Sequence, residues 1–398
     1  MLILKAHNYY QAKNPSGEGI SFESEVAMLR NFGNRVITYT RDNAEIASAS
    51  WRGRIAVARD TLWSAQTYRQ LRQLLAAERP AIAHFHNIFP LISPSAYRAC
   101  REAGVPVIQT LHNFRLLCPG ATFYRHRQVC EVCLGKAVPW PGLVHACYRA
   151  SRLATAVTAA MLTAHRYLKT WDEQVDLYIA PTEFVRRKFI EGGLPPGKIV
   201  VKPNFVYPDP GPGPGQGEYA LFVGRLSQDK GVETLLQAWR SLPGIPLKVV
   251  GDGPLMDRMQ MAVQGEGLQQ VELVGGVAFD RVISLLQQAR FLVFPSQWYE
   301  TFGRVAIEAF ACGVPVIAAH LGAMVEVVQE GIHGLHFKPG DREDLAAKVQ
   351  WAWTHPREMR AMGQACRREY EQRYTAEQNY AQIMEIYQRA ISHGAAAI

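Results

Sequence analysis

The chain has 398 residues, about two to three times the usual size of a single domain, so we expect it to fold as two domains. It is 48% hydrophobic and 20% charged, which excludes an intrinsically disordered, collagen-like or coiled-coil protein. Residues 1–205 carry 26 Lys and Arg against 14 Asp and Glu, a net charge of +12, whereas the remaining residues carry 17 against 21, a net charge of −4. The two halves are therefore expected to bind different partners, one of them anionic.

The sequence favours a location in the cytoplasm. The first apolar run is too short for a secretory signal and predicts a strand instead. No segment reaches the ~18 consecutive apolar residues that a membrane span needs. Seven cysteines, an odd number, do not favour a disulfide framework. We expect a cytoplasmic protein, which could also bind peripherally to the inner face of a membrane.

Short β-branched segments alternate with amphipathic segments along most of the chain, which predicts parallel sheets joined by crossover helices. In the first half we predict strands at residues 2–6, 35–39, 82–85, 105–111, 177–180 and 199–202. A hinge linker is predicted at residues 203–217, where proline and glycine dominate. In the second half we predict strands at residues 220–223, 247–250, 271–274, 291–294 and 314–318.

This pattern predicts an α/β protein with two doubly wound, Rossmann-like domains. Residues 1–202 would form the first domain and residues 218–375 the second. A C-terminal helix, residues 376–398, could cross back to the first domain. Ligands of open parallel sheets bind beyond the carboxyl ends of the strands, so we expect a central cleft where the two domains face each other.

Two glycine-containing loops follow strands of the second domain. The first, GRLSQDKG, contains Gly224, Arg225 and Lys230 at the end of a strand and just before a helix. Two cations beside a helix N-terminus suit a diphosphate, although either could be a solvated loop charge. The second, VVGDGP, contains Gly251 and Gly253, whose lack of a side chain would let a ligand approach the backbone.

A third segment, FPSQWYETFGRVAIE, supplies two carboxylates. Glu300 lies in a loop, the amides of Thr301, Phe302 and Gly303 are expected to begin a helix, and Glu308 is expected about two turns into it. The two carboxylates would then stand roughly 12 Å apart, too far to act as an acid/base pair on one bond. That spacing suits the two ends of a nucleotide sugar. The alternative is a helix with an acidic first turn and one buried, satisfied Glu.

The ordered set GRLSQDKG, VVGDGP, ETFGRVAIE and GVPVIAAHLGAMVEVV resembles the second domain of the family 4 retaining glycosyltransferases, which have the GT-B fold. The resemblance implies that Arg225 and Lys230 hold the donor diphosphate and that Glu308 binds the ribose hydroxyls. It further implies that Glu300, with the Thr301–Gly303 amides, binds the transferred sugar. The sequence has no Asp-x-Asp motif for a divalent ion, so we expect no cofactor in catalysis.

The first half resembles the same family more loosely. Gly17 and Gly19 follow the first strand and take the place of the family's adjacent glycine pair near the donor; a plain turn is the alternative. Leu-His-Asn at residues 111–113 is similar to the family's Val-His-Asp, which implies that His112 contacts the donor sugar near the reacting carbon. His86, at the end of another predicted strand, is a candidate on the acceptor side.

Residues 117–148 are interpreted as an insertion in the first domain that makes this chain a cysteine-containing variant of the family. It contains four cysteines, namely Cys118, Cys130, Cys133 and Cys147. Four thiolates in a cytoplasmic protein suit a structural zinc ion. Reduced cysteines without a metal are equally compatible with the spacing.

We therefore expect a retaining glycosyltransferase of cell-surface polysaccharide biosynthesis, moving a hexose from a UDP or GDP sugar to a hydroxyl of a glycan or glycolipid precursor. Alternatives are a nucleotide-sugar epimerase of the same fold and a non-catalytic donor-binding subunit. The basic first half suggests a lipid-linked acceptor or an anionic membrane surface, and we expect no nucleic acid. The apolar segment 150–168 predicts a helix that is either buried or lies on a membrane.

Overall fold

A computed structural model describes residues 1–10, 16–47, 51–215 and 217–395 of the chain. By their contacts these residues form two compact units. The first unit contains Met1–Phe123, Glu131–Pro203 and the chain from Asn379 onward. The second contains Tyr124–Cys130 and Asn204–Gln378.

The strands, in chain order, are β1 (Leu2–Tyr9), β2 (Arg35–Asp42), β3 (Ile82–Asn87), β4 (Val107–Thr110), β5 (Tyr124–Arg125), β6 (Gln128–Val129), β7 (Leu177–Ala180), β8 (Ile199–Val201), β9 (Tyr219–Val223), β10 (Leu247–Val250), β11 (Val271–Gly275), β12 (Ala289–Phe294), β13 (Val316–Ala319) and β14 (Gly334–Phe337). The helices are α1 (Gly17–Asn31), α2 (Ala44–Ala47), α3 (Trp51–Leu62), α4 (Ala65–Glu78), α5 (Ser95–Glu102), α6 (Trp140–Val144), α7 (Arg152–Tyr167), α8 (Thr170–Glu173), α9 (Glu183–Glu191), α10 (Val232–Trp239), α11 (Met256–Gly265), α12 (Phe279–Gln287), α13 (Arg304–Ala311), α14 (Met324–Val327), α15 (Arg342–Thr354), α16 (Pro356–Arg373) and α17 (Ala376–Ala395).

Each unit is built on a six-stranded parallel sheet. The first sheet has the order β2-β1-β3-β4-β7-β8 and the second has the order β11-β10-β9-β12-β13-β14. The strand order therefore reverses between β1 and β3 in the first unit and between β9 and β12 in the second. Ligands of doubly wound sheets bind at such switch points, beyond the carboxyl ends of the strands. The prediction of two Rossmann-like α/β domains is confirmed.

The second sheet is apolar on both faces, as a sheet covered by helices requires. Val249 lies in the cluster of buried side chains on one face, whereas its neighbour Val250 lies in the cluster on the other. Consecutive strand residues point to opposite faces, so a continuous run of valine and leucine can fill both layers. This is the reason why these strands are visible in the sequence as short apolar runs.

Two parts of the structure differ from the sequence-based expectation. Strand β14 was not predicted, because its Gly334-Leu-His-Phe337 sequence is short and mixed in polarity. The hairpin β5–β6 groups with the second unit and not with the first, so the expected insertion at residues 117–148 is not a single part of the first domain. An ion pair between Arg127 of this hairpin and Glu233, 3.3 Å apart, holds it to the second unit.

The C-terminal helix α17 contacts the first unit from Asn379 onward. Residues 396–398 of the predicted helix, like Gln216 of the predicted hinge, lie outside the described residues. Helix α7 covers most of the predicted segment 150–168 and buries one face, which includes Met161 and Leu162, while Leu153 is 78% exposed. Among the residues that the structure describes, no helix is both long enough and apolar enough to cross a bilayer.

Candidate functional site

The loop that follows β9 is fixed against the end of β12. Gly231 has a φ of +70°, and a side chain there would place its Cβ 1.8 Å from the carbonyl oxygen of Pro295. The backbone N–H of Gln297 also donates to the carbonyl of Asp229, at 2.8 Å. Glycine is therefore required at residue 231, because only glycine tolerates both the conformation and the close approach. This packing brings Lys230 to the segment that carries Glu300.

Lys230 and Glu300 form an ion pair, with Nζ 2.6 Å from Oε1. The same carboxylate oxygen accepts hydrogen bonds from the Ser296 hydroxyl and the Trp298 indole N–H, each at 2.7 Å. The Lys230 ammonium also lies 5.1 Å from the centre of the Trp298 ring. Three donors on one oxygen fix the orientation of the carboxylate. Sequence reasoning assigned Lys230 and Glu300 to different parts of the donor, and the structure brings them into direct contact.

Arg225, the other predicted diphosphate ligand, lies directly after β9 and Gly224 and has an exposed side chain. The loop glycines have a structural explanation that the sequence did not reveal. A Cβ at Gly251, where φ is +137°, would lie 1.9 Å from the carbonyl oxygen of Gly224, and a Cβ at Gly253 would lie 2.5 Å from that of Leu226. These glycines let two loops pack backbone to backbone. Their roles in donor binding stay predictions.

The second carboxylate, Glu308, is buried and accepts a hydrogen bond from Nε of Arg304 at 2.8 Å. Helix α13 begins at Arg304, so Glu308 is its fifth residue and lies about one turn into the helix, not the two turns expected. The reason is that Gly303, with φ +80°, stands before the first turn as the N-cap. Phe302 is buried and part of the apolar core, whereas Thr301 is partly exposed.

In the first unit, His86 and His112 lie side by side. Nδ1 of His86 is 2.8 Å from Nε2 of His112, and the two rings are stacked with centroids 4.9 Å apart. On the other side of the His86 ring, Nε2 lies 2.6 Å from Nζ of Lys5. Lys5 in turn forms an ion pair with Glu25 and lies 2.9 Å from Nδ1 of His84. Sequence reasoning identified the two histidines but missed Lys5 and Glu25.

The geometry of the sheet explains this cluster. Lys5 on β1 and His84 on β3 are directly paired in register, so their side chains lie on the same face, and His86 follows on that face two residues later. Glu25 comes from α1, which packs over this part of the sheet. The signal in the sequence was a lysine that directly follows three apolar residues in the strand LILKAHNY, because Lys is almost never buried without a partner.

Burial controls the ionisation of the cluster. Burial lowers the pKa of His112 to about 3 and that of His84 to about 4, and it holds the pKa of His86 well below its usual value. Burial also lowers the pKa of Lys5, against the attraction of Glu25, to about 8. Burial alone would raise the pKa of Glu25, but Lys5 and Lys202 hold it well below its usual value. At neutral pH the imidazoles are therefore neutral, and the charges are those of the two lysines and Glu25.

A pocket opens at the carboxyl ends of β3 and β4 in the first unit. Its wall includes His86, Asn87, His112, Asn113 and Arg115. The pocket thus joins both predicted histidines to polar groups suited to sugar hydroxyls.

The predicted glycine loop leads into α1, which begins at Gly17, while Asn14 and Pro15 of this loop lie outside the described residues. A Cβ at Gly17 would meet no atom within 4 Å. Glu18, between Gly17 and the buried Gly19, accepts a hydrogen bond from Nδ2 of Asn113 at 2.7 Å, and burial raises its pKa. This contact joins the first turn of α1 to the predicted Leu-His-Asn motif.

Of the four cysteines of residues 117–148, Cys118 and Cys133 are buried, and Cys130 and Cys147 are partly exposed. Cys118, Cys133 and Cys147 belong to the first unit, and Cys130 ends the segment that groups with the second. Within the described ranges, the one group of three or more His, Cys, Asp or Glu side chains with metal-site spacing is Glu25, His84 and His86. The four-thiolate zinc site stays a prediction.

Two family models match this chain. One, described as glycosyl transferases group 1, matches residues 209–369, and the other, described as glycosyltransferase family 4, matches residues 23–209. An uncharacterized glycosyltransferase of Methanocaldococcus jannaschii is 37% identical over 33% of this chain and 37% of its own length. A D-rhamnosyltransferase of Pseudomonas aeruginosa is 31% identical over 40% of this chain and 42% of its own length. The chain thus matches less than half of the length of these curated relatives.

Among solved structures, HepE of Anabaena in complex with UDP is similar, with a TM-score of 0.69 and 18% identity over 98% of this chain and 100% of that one. At this identity the likeness shows the fold alone, and that fold is the GT-B fold of glycosyltransferases. The two family matches follow one another along most of the sequence. The chain belongs to the family 4 type of GT-B glycosyltransferases.

Proposed function

We propose that the protein transfers a hexose from a nucleoside diphosphate sugar to a hydroxyl of a glycan or glycolipid precursor, with retention of anomeric configuration and without a catalytic metal ion. The observation that carries this proposal is the Lys230–Glu300 pair at the switch point of the second sheet. A cation and a carboxylate held there suit the diphosphate and the sugar hydroxyls of one donor. HepE of Anabaena has been solved with UDP-glucose, which supports a donor of this class.

In the proposed reaction, Lys230 and Arg225 stabilise the negative charge that develops on the leaving diphosphate. The acceptor oxygen bonds to the anomeric carbon while the bond from that carbon to the diphosphate oxygen breaks. The acceptor proton passes to an oxygen of the leaving diphosphate, so no protein nucleophile is needed. Because negative charge grows on the diphosphate, fixed cations stabilise the transition state more than the bound donor.

The other residues divide between the donor and the acceptor. Glu308, buried and held by Arg304, would accept hydrogen bonds from the ribose hydroxyls. The pocket that contains His86 and His112 would bind sugar hydroxyls. Residues 1–205 carry a net charge of +12, which supports an acceptor attached to a diphosphate lipid or an anionic membrane surface.

Donor hydrolysis without acceptor tests the proposal directly. Purified protein is incubated with a panel of UDP, GDP and ADP sugars, and release of the nucleoside diphosphate is measured. We expect one donor to be hydrolysed and its rate to fall at least about 100-fold in Lys230→Ala, because removing one transition-state charge partner costs roughly that much.

The matched control is Lys338→Ala, which removes a cation of the same unit whose side chain is 77% exposed. This variant should retain the rate of the unmodified protein. Hydrolysis of a donor by Lys230→Ala at the normal rate would show that Lys230 does not bind the diphosphate. Hydrolysis that requires added Mg²⁺ or Mn²⁺ would contradict the metal-independent mechanism.

A further inference from the structure

The buried cluster of the first unit is centred on the Lys5 ammonium. Its Nζ contacts a carboxylate oxygen of Glu25, Nδ1 of His84 at 2.9 Å and Nε2 of His86 at 2.6 Å. These three ligand atoms lie within 4.8 Å of one another, a spacing that would also suit a metal ion. The cation that they surround is, however, a side chain of the protein itself. The cluster therefore needs an explanation other than metal binding.

The hydrogen bonds of Lys5 determine where His86 carries its hydrogen. Nε2 of His86 lies 2.6 Å from Nζ of Lys5 and 3.4 Å from Oε1 of Glu25. An ammonium group has three N–H donors and no acceptor, so in the shorter contact Nε2 of His86 accepts. A neutral imidazole carries one hydrogen, and it must then be on Nδ1 of His86. This assignment follows from the hydrogen-bond network and not from observed hydrogen positions.

The same reasoning extends to His112. Nδ1–H of His86 donates to Nε2 of His112, 2.8 Å away, so Nε2 of His112 must also accept. The hydrogen of His112 is therefore on its Nδ1. A charge at Lys5, in the middle of β1, thus selects the tautomer of a pocket residue two hydrogen bonds away.

We propose that Lys5 and His86 are positioning residues for His112, which they hold as the Nδ1–H tautomer so that this N–H can donate to a sugar hydroxyl. The use of this N–H on a sugar rests on the proposed function, whereas the tautomer itself does not. The rival explanation is that Lys5 only neutralises Glu25. Lys202 separates the two explanations, because its Nζ lies 3.4 Å from the other Glu25 oxygen and no contact joins it to His86 among the described hydrogen bonds.

The tautomers can be measured by NMR on the full-length protein labelled with 15N in its histidine rings. Protonated and unprotonated ring nitrogens have well-separated 15N shifts, and His112→Gln and His86→Asn assign the two rings. We expect His86 and His112 to be neutral at pH 7, each with its hydrogen on Nδ1. A hydrogen on Nε2 of His112 would overturn the proposal without any variant.

Raising the pH supplies a second test on the unmodified protein. Lys5 faces His7 on its own strand, Glu25 on α1, His84 and His86 on β3, Lys202 after β8 and, through His84, Tyr387 on α17. Once Lys5 loses its proton, with a pKa of about 8, its amine can accept from His86. We expect the His86 and His112 signals to change tautomer with a midpoint near this pH. Signals that stay constant until the protein unfolds would contradict the relay.

Variants link the tautomer to turnover. Lys5→Met removes the donor to His86 and leaves Glu25 paired with Lys202, so the fold has no unpaired buried charge. We expect mixed tautomers at His112 and a fall in kcat for donor hydrolysis of about tenfold, the effect of one misplaced hydrogen bond, with KM nearly unchanged. Lys202→Met is the matched control, and it should leave the tautomers intact.

A double variant tests the direction of the relay. In Lys5→Met/His86→Asn the amide nitrogen takes the place of Nδ1 and can donate to His112 without Lys5. We expect it to restore both the Nδ1–H tautomer and most of kcat relative to Lys5→Met. No recovery, or equal effects of Lys5→Met and Lys202→Met, would show that Lys5 only balances charge. If the tautomers behave as expected but no donor is hydrolysed, the proposed function fails while the assignment of Lys5 and His86 stands.

Discussion

The two units use charged residues in different ways. In the second unit, the ion pair Arg304–Glu308 lies within one helix, and the side chain of Lys230 is 23% exposed beside the buried Glu300. In the first unit, the charges of Lys5, Glu25 and Lys202 are almost fully buried and come from distant parts of the chain. The pair in the second unit leaves the Lys230 ammonium partly accessible to a ligand, whereas the buried charges of the first unit organise neighbouring groups. We therefore expect substitution of a carboxylate to reduce mainly the stability of the protein in the first unit and mainly its activity in the second.

The largest effect on stability is expected for Glu25→Gln. This change leaves Lys5 and Lys202 as buried cations without their shared carboxylate. Breaking a buried ion pair by removing one partner costs about 3–5 kcal/mol, and we expect the free energy of unfolding in urea to fall by that amount. The control is Glu78→Gln, which breaks an exposed pair with Arg35 and should cost about 0–1 kcal/mol. Equal losses for the two variants would contradict the stabilising role that we assign to the buried charges of the first unit.

Glu300→Gln should instead affect activity. The amide keeps the shape of the carboxylate but loses the charge that pairs with Lys230. We expect donor hydrolysis to fall by about 100-fold, while the urea midpoint changes little because Lys230 can turn toward solvent. Glu272→Gln removes an exposed partner of Lys248, with the Glu272 side chain 59% exposed, and should retain activity. A strongly destabilised but active Glu300→Gln protein would show that this pair contributes to stability and not to activity.

The smallest effect is expected for Tyr387→Phe, which removes one hydroxyl from the edge of the buried cluster. That hydroxyl lies 2.8 Å from Nδ1 of His84, and the aromatic ring is preserved in the variant. A hydrogen bond of this kind contributes about 1 kcal/mol, and we expect this loss in urea unfolding. Tyr167→Phe, at a residue 88% exposed, should be neutral. A loss above that of Glu25→Gln would mean that α17, not charge, dominates the cluster.

The sequence predicted the second unit better than the first. Lys230, Glu300 and Glu308 lie in continuous motifs whose order along the chain identifies the family, and the strands before them are mostly apolar. The contact between Lys230 and Glu300 was not predicted, because it depends on the close packing of Gly231 against Pro295, where a Cβ would lie 1.8 Å from the carbonyl oxygen. The start of α13 was placed too early because Gly303 adopts a positive φ.

The cluster of the first unit could not be predicted from local patterns. Lys5 and Glu25 are 20 residues apart, and His86 is 81 residues from Lys5. Neither Lys5 nor Glu25 belongs to a motif, and the position of Lys5 after an apolar run indicates burial but does not identify its partner. Only the register of β1 with β3 and the packing of α1 bring them together. The sequence identified His86 and His112 because both lie at the carboxyl ends of strands, where ligands of parallel sheets bind.

Helix α17 determines when the first unit can complete its folding during protein synthesis. Asn379 accepts a hydrogen bond from Lys202 at 2.9 Å, and Tyr387 contacts His84, so both buried groups receive partners from the end of the chain. A nascent chain that has emerged only as far as α16 cannot supply these partners. On the ribosome, the unit that is synthesised first must therefore complete its folding last, after the second unit has been translated.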